Sequence, residues 1–326
     1  MRPEALARWL LSERMSHPDG WVMSWYNGNG TGFSYPEASA YVLSAASTMP
    51  EFFKPDVSGR LNEIAHALIG AAAASGGIGK DGRIHLFDTA LAADALGRWA
   101  AHRGMDEALD SALAQLAKTI QRMAQKRISV TGERLPERWS TQVGPYLLKI
   151  VQGILAIPDE SRPEGFLEHM SAFFKQLTEN GHLNDVLDRR LPADPMYTHS
   201  LCYALEGLAR CQDAGLLSPR SLEGAADVLC ELQRPDGGMP RFTQGDSEET
   251  SPMSDSTAQS MRLWMLIDRS RYKSNIGAAS EFLERIVDID GPRYTIDSED
   301  RTSWSAVFYM QVLHWLSGEA SIRELI

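Results

Sequence analysis

The apolar positions of the chain fall into helical runs, and six of these runs begin with a cluster of polar side chains. Small apolar residues follow each cluster, which is typical of a helix that is packed closely on all sides. The six openings lie at residues 34–37, 86–89, 140–142, 197–199, 254–257 and 302–304. Their anchors follow one another at intervals of 51, 54, 57, 56 and 47 residues, through Glu37, Asp88, Gln142, His199, Asp255 and Thr302. The pattern is therefore a tandem repeat of about fifty residues.

Each polar opening is preceded by an amphipathic helical pattern and a short glycine turn. The turns lie at Gly20, Gly77, Gly132, Gly181, Gly238 and Gly291. Each unit thus consists of an outer helix, a glycine-bearing loop and an inner helix, and an isolated hairpin of this kind cannot bury both its faces. Six such units predict an all-α fold, an (α/α)6 toroid that spans residues 1–326 as one domain. We find no convincing strand run and no linker between domains.

A toroid brings the N-termini of its inner helices to one face, so the polar openings are expected to converge on one funnel. The catalytic candidates are its four ionisable anchors, Glu37, Asp88, His199 and Asp255. Carboxylates near helix N-termini are stabilised as anions, which suits a base or a nucleophile. A general acid instead needs a pKa that is raised by burial or by a like charge. Candidates for substrate binding are Trp25, Tyr26, Tyr35, Trp139, Tyr197, Arg241, Gln259 and Trp304.

Each candidate also has a purely structural interpretation. Asp88 and Asp255 stand beside Ser or Thr at a helix start and could be N-caps. Glu37 follows Pro36 and could merely favour the helix dipole. His199 could be a hydrogen-bonded structural histidine, and the tryptophans could be packing residues. It is the convergence of these residues on one funnel that favours a functional site.

Asp194 and Pro195, which precede the fourth opening, match a helix start. Residues 77–82 fit the pattern GxGxxG, but no strand precedes them, so a loop between two helices is the better interpretation.

The composition narrows the class of protein. The chain has 326 residues, a hydrophobic fraction of 43% and a formal net charge of -11, which disfavours nucleic acid or an anionic membrane as a partner. Three cysteines without metal-ligand spacing suggest buried thiols in a reducing compartment. The N-terminal residues enter an amphipathic helix directly, and no apolar run approaches membrane-spanning length. These features predict a soluble cytoplasmic protein with no metal and no cofactor, and they do not fix an oligomeric state.

Several motifs resemble known families. The turn at residues 233–239 is similar to the Q…DGG turn of prenyltransferase and squalene-cyclase repeats, without their closing tryptophan. Three helix starts more closely resemble bacterial six-hairpin toroid proteins that are encoded near polysaccharide-biosynthesis enzymes. Residues 35–41 resemble their "YPE-T-GY" start, residues 198–208 their "TH-IAY-L-GLL" helix and residues 256–264 their "TG-AQ-A-W" helix. The match departs at Ala38 and Ser39, where the group prefers Thr and Gly. The resemblance implies the fold and a glycan context rather than a reaction.

The first functional hypothesis is a carbohydrate-active enzyme that acts on a bacterial polysaccharide, a glycoconjugate or a precursor of either. Two carboxylates flanking a sugar ring would suit glycoside hydrolysis. Alternatively, a lyase or epimerase acting on a uronate would use Tyr35 or Tyr197 with His199 to remove a proton beside the sugar carboxylate. The cations that could neutralise that carboxylate are Arg189, Arg190 and Arg241. In both routes the partner is a small-molecule or oligosaccharide substrate.

Two further hypotheses stay open at this point. One is a terpenoid-cyclase-like enzyme, although the chain has no DxDD or DDxxD motif and only Asp288-Ile-Asp290 comes near one. The other is a non-catalytic glycan-binding or scaffold protein that uses the same funnel.

Overall fold

The computed structural model confirms the toroid, with helices that alternate between an inner ring and an outer layer. It describes residues 2–27, 29, 32–54, 57–80, 82–126, 143–244, 251–288 and 290–326. The inner helices are α2 (Pro36–Thr48), α4 (Leu86–Arg103), α6 (Val151–Ala156), α9 (Thr198–Asp213), α11 (Ser254–Asp268) and α13 (Ser303–Ser317). The outer helices are α1 (Pro3–Leu10), α3 (Ser58–Ser75), α5 (Glu107–Lys126), α7 (Phe166–Thr178), α10 (Glu223–Leu232) and α12 (Lys273–Ile286).

Each inner helix packs against the next inner helix along the chain, and α13 packs against α2, which closes the ring. The third member is composite, because a 3₁₀ segment, Pro145–Ile150, leads into α6. Going round the ring, the order is α2, α4, α6, α9, α11 and α13. Helix α2 therefore lies opposite α9, and α4 lies opposite α11.

Burial separates the two layers as the sequence pattern predicts. In α11, every residue from 254 to 265 is buried, whereas α5 buries a single stripe. That stripe consists of Leu109, Ala112, Leu113, Leu116, Ala117, Thr119, Ile120, Met123 and Ala124. Residues three and four apart share one face of a helix, so α5 covers the ring with this face and presents its charged face to solvent.

Two glycines allow the inner helices to approach closely. A Cβ atom added at Gly153 of α6 would overlap the carbonyl group of Ala90 in α4. One added at Gly207 of α9 would overlap the backbone of Leu148 in the 3₁₀ segment. Neither position can accept a larger side chain without moving a neighbouring backbone, so both contribute to the narrow bore of the ring.

The prediction that strands are absent was wrong. Strand β1 (Met23–Asn27) pairs with β2 (Gly32–Ser34) and with β7 (Asp300–Thr302), which joins the first unit to the last. Two hairpins are formed by β3 (Gly79–Lys80) with β4 (Arg83–Ile84), and by β5 (Val287–Asp288) with β6 (Gly291–Pro292). Strands of two to five residues are too short to produce a period that a sequence pattern reveals. The GxGxxG stretch contains β3 and is followed by β4, both between α3 and α4, so no βαβ unit surrounds it.

Two predicted helix boundaries were also wrong. Asp194 lies in a bend and Pro195 outside the helix, since α9 begins at Thr198. The predicted glycine turn at Gly181 is the start of an additional helix, α8 (Gly181–Leu187), whose N-cap Asn180 accepts a hydrogen bond from the Leu183 amide at 3.2 Å. The third glycine turn, at Gly132, and the anchor Gln142 lie outside the described residues.

A buried polar network fills the end of the bore that lies away from the funnel. Glu206 accepts from Lys149 Nζ at 2.8 Å and from an Arg262 NH group at 2.5 Å, and all three side chains are fully buried. The main-chain oxygen of Ile326 accepts from the same two cations, at 2.7 and 3.0 Å. Gln311 also donates to the main chain of this last segment, at Glu324. The network therefore holds residues 324–326 against the axis. Among the described helices, none is long and apolar enough to cross a membrane.

Candidate active site

Glu37 and Asp88 lie on neighbouring inner helices, in the first turn of α2 and of α4. Pro36 occupies the first position of α2, as its fixed φ angle favours. The hydroxyl group of Tyr35, the residue before this proline, donates to Asp88 Oδ2 at 2.5 Å. Asp88 is buried, with 4% of its surface exposed, while Glu37 is partly buried at the funnel.

The two carboxyl groups have raised pKa values. Burial raises the pKa of Glu37 well above its ordinary range, and the charge of Asp88 raises it further. Burial also raises the pKa of Asp88 to about 7, although the hydrogen bond from Tyr35 opposes the rise. The pair therefore favours states in which at least one of the two groups holds a proton, and Asp88 is near its midpoint at neutral pH. A neighbouring proton donor and acceptor are what general acid–base chemistry requires.

His199 and Asp255 form a second group on the other side of the ring. Nδ1 of His199 lies 2.6 Å from Gln259 Oε1 and 3.6 Å from Asp255 Oδ2. Because an amide oxygen only accepts hydrogen bonds, Nδ1 is the protonated nitrogen of the neutral ring. Burial lowers the pKa of His199, and the charge of Asp255 and the bond to Gln259 oppose this. Trp304 Nε1 donates to Asp255 Oδ2 at 3.1 Å.

Aromatic side chains connect the two groups across the bottom of the funnel. Tyr203 lies under His199, with ring centroids 4.3 Å apart, and receives a hydrogen bond from Tyr41 at 2.7 Å. Burial raises the pKa of Tyr203, and the neighbouring Tyr41 and then Glu37 raise it further. Burial also raises the pKa of Tyr146, and the charges of Asp88 and then Glu37 raise it further. The four predicted ionisable anchors thus share one funnel.

An aromatic wall stands above Asp255. The ring of Tyr294 lies 4.9 Å from that of Trp25 and 6.2 Å from that of Trp304, with edge-to-face geometry in both cases. The hydroxyl groups of Tyr294 and Tyr197 are 2.8 Å apart. Four partly buried rings therefore face the funnel from three separate parts of the chain. Rings of this kind present apolar faces with polar edges.

The structural interpretation of the two aspartates as N-caps was wrong. The N-cap positions of α4 and α11 are occupied by His85 and Met253, so both aspartates lie one or more residues inside their helices. Asp255 Oδ1 instead accepts from the amide of the next residue, Ser256, at 2.6 Å. The carboxylates are thus held inside the first turn, where they point to partners on other helices.

The remaining residues that the sequence predicted for substrate binding do not all lie at the funnel. Arg241 lies at the rim, with its guanidinium group 5.6 Å from the ring of Tyr197. Tyr26 follows Trp25 on β1. Because successive side chains of a strand point to opposite faces, Tyr26 points away from the face that Trp25 occupies. Trp139 lies outside the described residues. Arg189 and Arg190 do not join the funnel, because they form exposed ion pairs with acidic side chains around α8 and α10.

Four residues of the funnel were missed by the sequence reasoning. Tyr146 and Tyr203 lie inside inner helices, where an aromatic residue is indistinguishable from a core residue. Tyr294 follows the last glycine turn, which offered a weak signal, and Lys80 is in the β3–β4 hairpin. The ammonium group of Lys80 lies 5.6 Å from the ring of Tyr35, the residue bonded to Asp88. Within the described part of the chain, no group of three or more His, Cys, Asp or Glu side chains could hold a metal ion.

Several solved structures are similar to this chain, and three of them illustrate the likeness. An unsaturated glucuronyl hydrolase specific for heparin has 10% identity and a TM-score of 0.71, covering 96% of this chain and 95% of that chain. A glycosyl hydrolase family 88 protein from Bacteroides vulgatus has 12% identity and a TM-score of 0.67, with 100% of both chains covered. An unsaturated glucuronyl hydrolase from Bacillus sp. GL1, responsible for the degradation of glycosaminoglycan, has 12% identity and a TM-score of 0.66, with 96% and 94% covered. These likenesses confirm the toroid fold. No family model and no curated protein matches the chain.

Proposed function

We propose that the chain is a glycoside hydrolase that acts on a uronate-containing oligosaccharide. The observation that carries the proposal is the Glu37–Asp88 pair. Two neighbouring carboxyl groups with raised pKa values can supply one proton donor and one acceptor. A pair used only for stability would instead be matched with a cation, as Glu206 is.

In this proposal Glu37 is the general acid. Its proton passes to the glycosidic oxygen as the bond from that oxygen to the anomeric carbon breaks. A water molecule attacks the anomeric carbon and gives a proton to Asp88, so that the products are two sugars with free hydroxyl groups. Proton exchange with solvent then restores the pair. Tyr35 is a positioning residue, because its hydroxyl group fixes the orientation of the Asp88 carboxylate.

On the opposite side, His199 and the aromatic wall would bind the sugar. The buried Asp255 accepts from the Trp304 indole and lies beside the His199 ring, so it is assigned a positioning role rather than a chemical one. The rings of Trp25 and Trp304 would stack on apolar sugar faces. The uronate preference rests on the three similar structures, two of which are described as glucuronyl hydrolases. A glycan context also agrees with the resemblance of the helix starts.

The alternative mechanisms receive less support. Burial raises the pKa of Tyr197 to about 12, and the charge of Asp255 contributes, so the phenolate that a lyase would need is disfavoured at neutral pH. For a terpenoid cyclase, Asp288 and Asp290 would be the acidic motif, but they pair with Arg301 and Arg14 away from the funnel. The predicted cytoplasmic location and the absence of a cofactor stay predictions.

The test is turnover of defined oligosaccharides by the purified protein. Uronate-containing disaccharides and tetrasaccharides, both saturated and unsaturated at the uronate, are compared with neutral ones, and released sugars are quantified by NMR. We expect turnover of an acidic substrate, and loss of turnover with retained binding in Glu37→Gln. The matched control is Glu107→Gln, at an exposed glutamate of outer helix α5. Binding without turnover in the unaltered protein would instead indicate the non-catalytic glycan-binding alternative.

A further inference from the structure

Two similar clusters of side chains lie at the rim of the funnel. The first rim cluster consists of Phe33, Lys80 and Tyr35, and the second of Phe242, Arg241 and Tyr197. In the first, the Lys80 ammonium group lies 4.5 Å from the Phe33 ring and 5.6 Å from the Tyr35 ring. In the second, the Arg241 guanidinium group lies 5.6 Å from both rings. Each cluster is thus a cation beside an outer phenylalanine and an inner tyrosine.

The outer phenylalanine rings are unusually open to solvent. Phe33 is 44% exposed and Phe242 is 40% exposed, and both belong to the few large apolar side chains at the surface of the described residues. The cations are exposed as well, and neither lies within 4.0 Å of a carboxylate oxygen among the described residues. An exposed aromatic face beside an exposed cation offers stacking and charge to the same ligand.

The tyrosine of each cluster contacts one of the two groups in the funnel. Tyr35 is the N-cap residue of α2 and donates to Asp88. Tyr197 is the N-cap residue of α9, and its ring lies 6.0 Å from that of His199. Because α2 and α9 lie opposite one another in the ring, the clusters face each other across the funnel. Packed helices are about 8–10 Å apart, so opposite helices of a six-membered ring are roughly 16–20 Å apart.

We propose that the two rim clusters are binding subsites for anionic sugar units on either side of the cleaved bond, so that the preferred substrate is an oligosaccharide with at least two acidic units. The proposal rests on the proposed function and specifies its substrate class. Each phenylalanine stacks on a sugar ring, and Lys80 or Arg241 pairs with the carboxylate or sulfate group of that ring. A single sugar is too short to reach both clusters.

The experiment measures dissociation constants by calorimetry in the Glu37→Gln background, which prevents turnover. The ligands are a uronate tetrasaccharide, its carboxyl-reduced form, a sulfated neutral tetrasaccharide and a uronate monosaccharide. The variants are Lys80→Gln and Arg241→Gln. The matched controls are Lys118→Gln and Arg122→Gln, which remove exposed charges from outer helix α5.

For the uronate tetrasaccharide we expect each rim variant to raise the dissociation constant about fivefold, as one partly solvated charge pair allows. The double variant is expected to raise it about 25-fold, because the clusters are far apart and act independently. The carboxyl-reduced form should bind equally to all variants, and the monosaccharide should respond to only one of the two changes. A response to the sulfated ligand as well would identify a general anion preference, and no response would restrict the subsites to carboxylates.

The proposal is overturned if both rim variants bind the acidic tetrasaccharides as the control variants do. If the unaltered protein hydrolyses oligosaccharides but the rim variants have no effect, only the subsites are refuted and the hydrolase stands. If the rim variants weaken binding but the unaltered protein has no turnover, the subsites stand and the hydrolase fails. If no oligosaccharide binds, both proposals are refuted.

Discussion

The raised pKa of Asp88 has a measurable effect on stability. Its value of about 7 in the folded protein compares with an ordinary value of 3.8, so the folded state binds more protons than the unfolded state between these two values. The free energy of unfolding must therefore fall as the pH rises from about 4 to about 7. A difference of about three pH units corresponds to about 4 kcal/mol. This destabilisation is fully present above the folded pKa and absent below the unfolded one.

The change Asp88→Asn removes the titrating group, while the amide oxygen can still accept the hydrogen bond from Tyr35. Reversible urea unfolding at several pH values between 4 and 8 gives the free energy of unfolding for each protein. We expect the variant to be the more stable protein at pH 8, by up to about 4 kcal/mol, with the advantage declining towards pH 4. Asp19→Asn, at an exposed aspartate, controls for the chemical change. If the stabilities of the unaltered protein and of Asp88→Asn change in parallel over this range, the conclusion that Asp88 binds a proton in the folded protein is refuted.

Three other changes have defined outcomes. Glu206→Ala leaves two buried cations facing each other and should lower the free energy of unfolding by about 3–5 kcal/mol, measured by urea unfolding; a loss below about 1 kcal/mol would contradict the buried network. Gly207→Ala forces a Cβ atom against the backbone of Leu148 and should lower the melting temperature measured by calorimetry, and an unchanged value would argue against the close approach of the inner helices. Tyr35→Phe removes the hydrogen bond that lowers the pKa of Asp88. The acidic limb of the pH profile of turnover should therefore move to higher pH by roughly half to one unit. A limb that does not move would exclude Asp88 as the base.

The parts of the site that were predictable lie at regular positions of the repeat. Pro36 and the residues after it mark the start of α2, and His199 and Asp255 likewise fall in first turns. A periodic pattern of apolar residues determines where inner helices begin, and the closure of six hairpins places these beginnings on one face. The prediction of one funnel therefore needed no knowledge of individual contacts.

The pairing inside the funnel was not predictable in the same way. The proximity of Glu37 and Asp88 depends on the order of helices round the ring, and their raised pKa values depend on burial, which the sequence does not display. The rim is built by loops and by strands of two or three residues, as for Lys80, and these have no period. Arg189 and Arg190 illustrate the opposite error, because charge alone suggested a role that their position at α8 does not support.

The two ends of the bore differ in how charges are matched, and this difference is the strongest argument that the funnel is a functional site. At the far end, Glu206 receives two cations, and each cation has a second acceptor in the main-chain oxygen of Ile326. At the funnel, Glu37 is placed next to another carboxyl group, and burial makes the ionised form of both unfavourable. One ring of inner helices thus contains both a matched network and an unmatched pair. A fold that neutralises buried charge at one end does not need two buried carboxyl groups side by side at the other, so the destabilising pair supports the proposed proton transfer to a substrate.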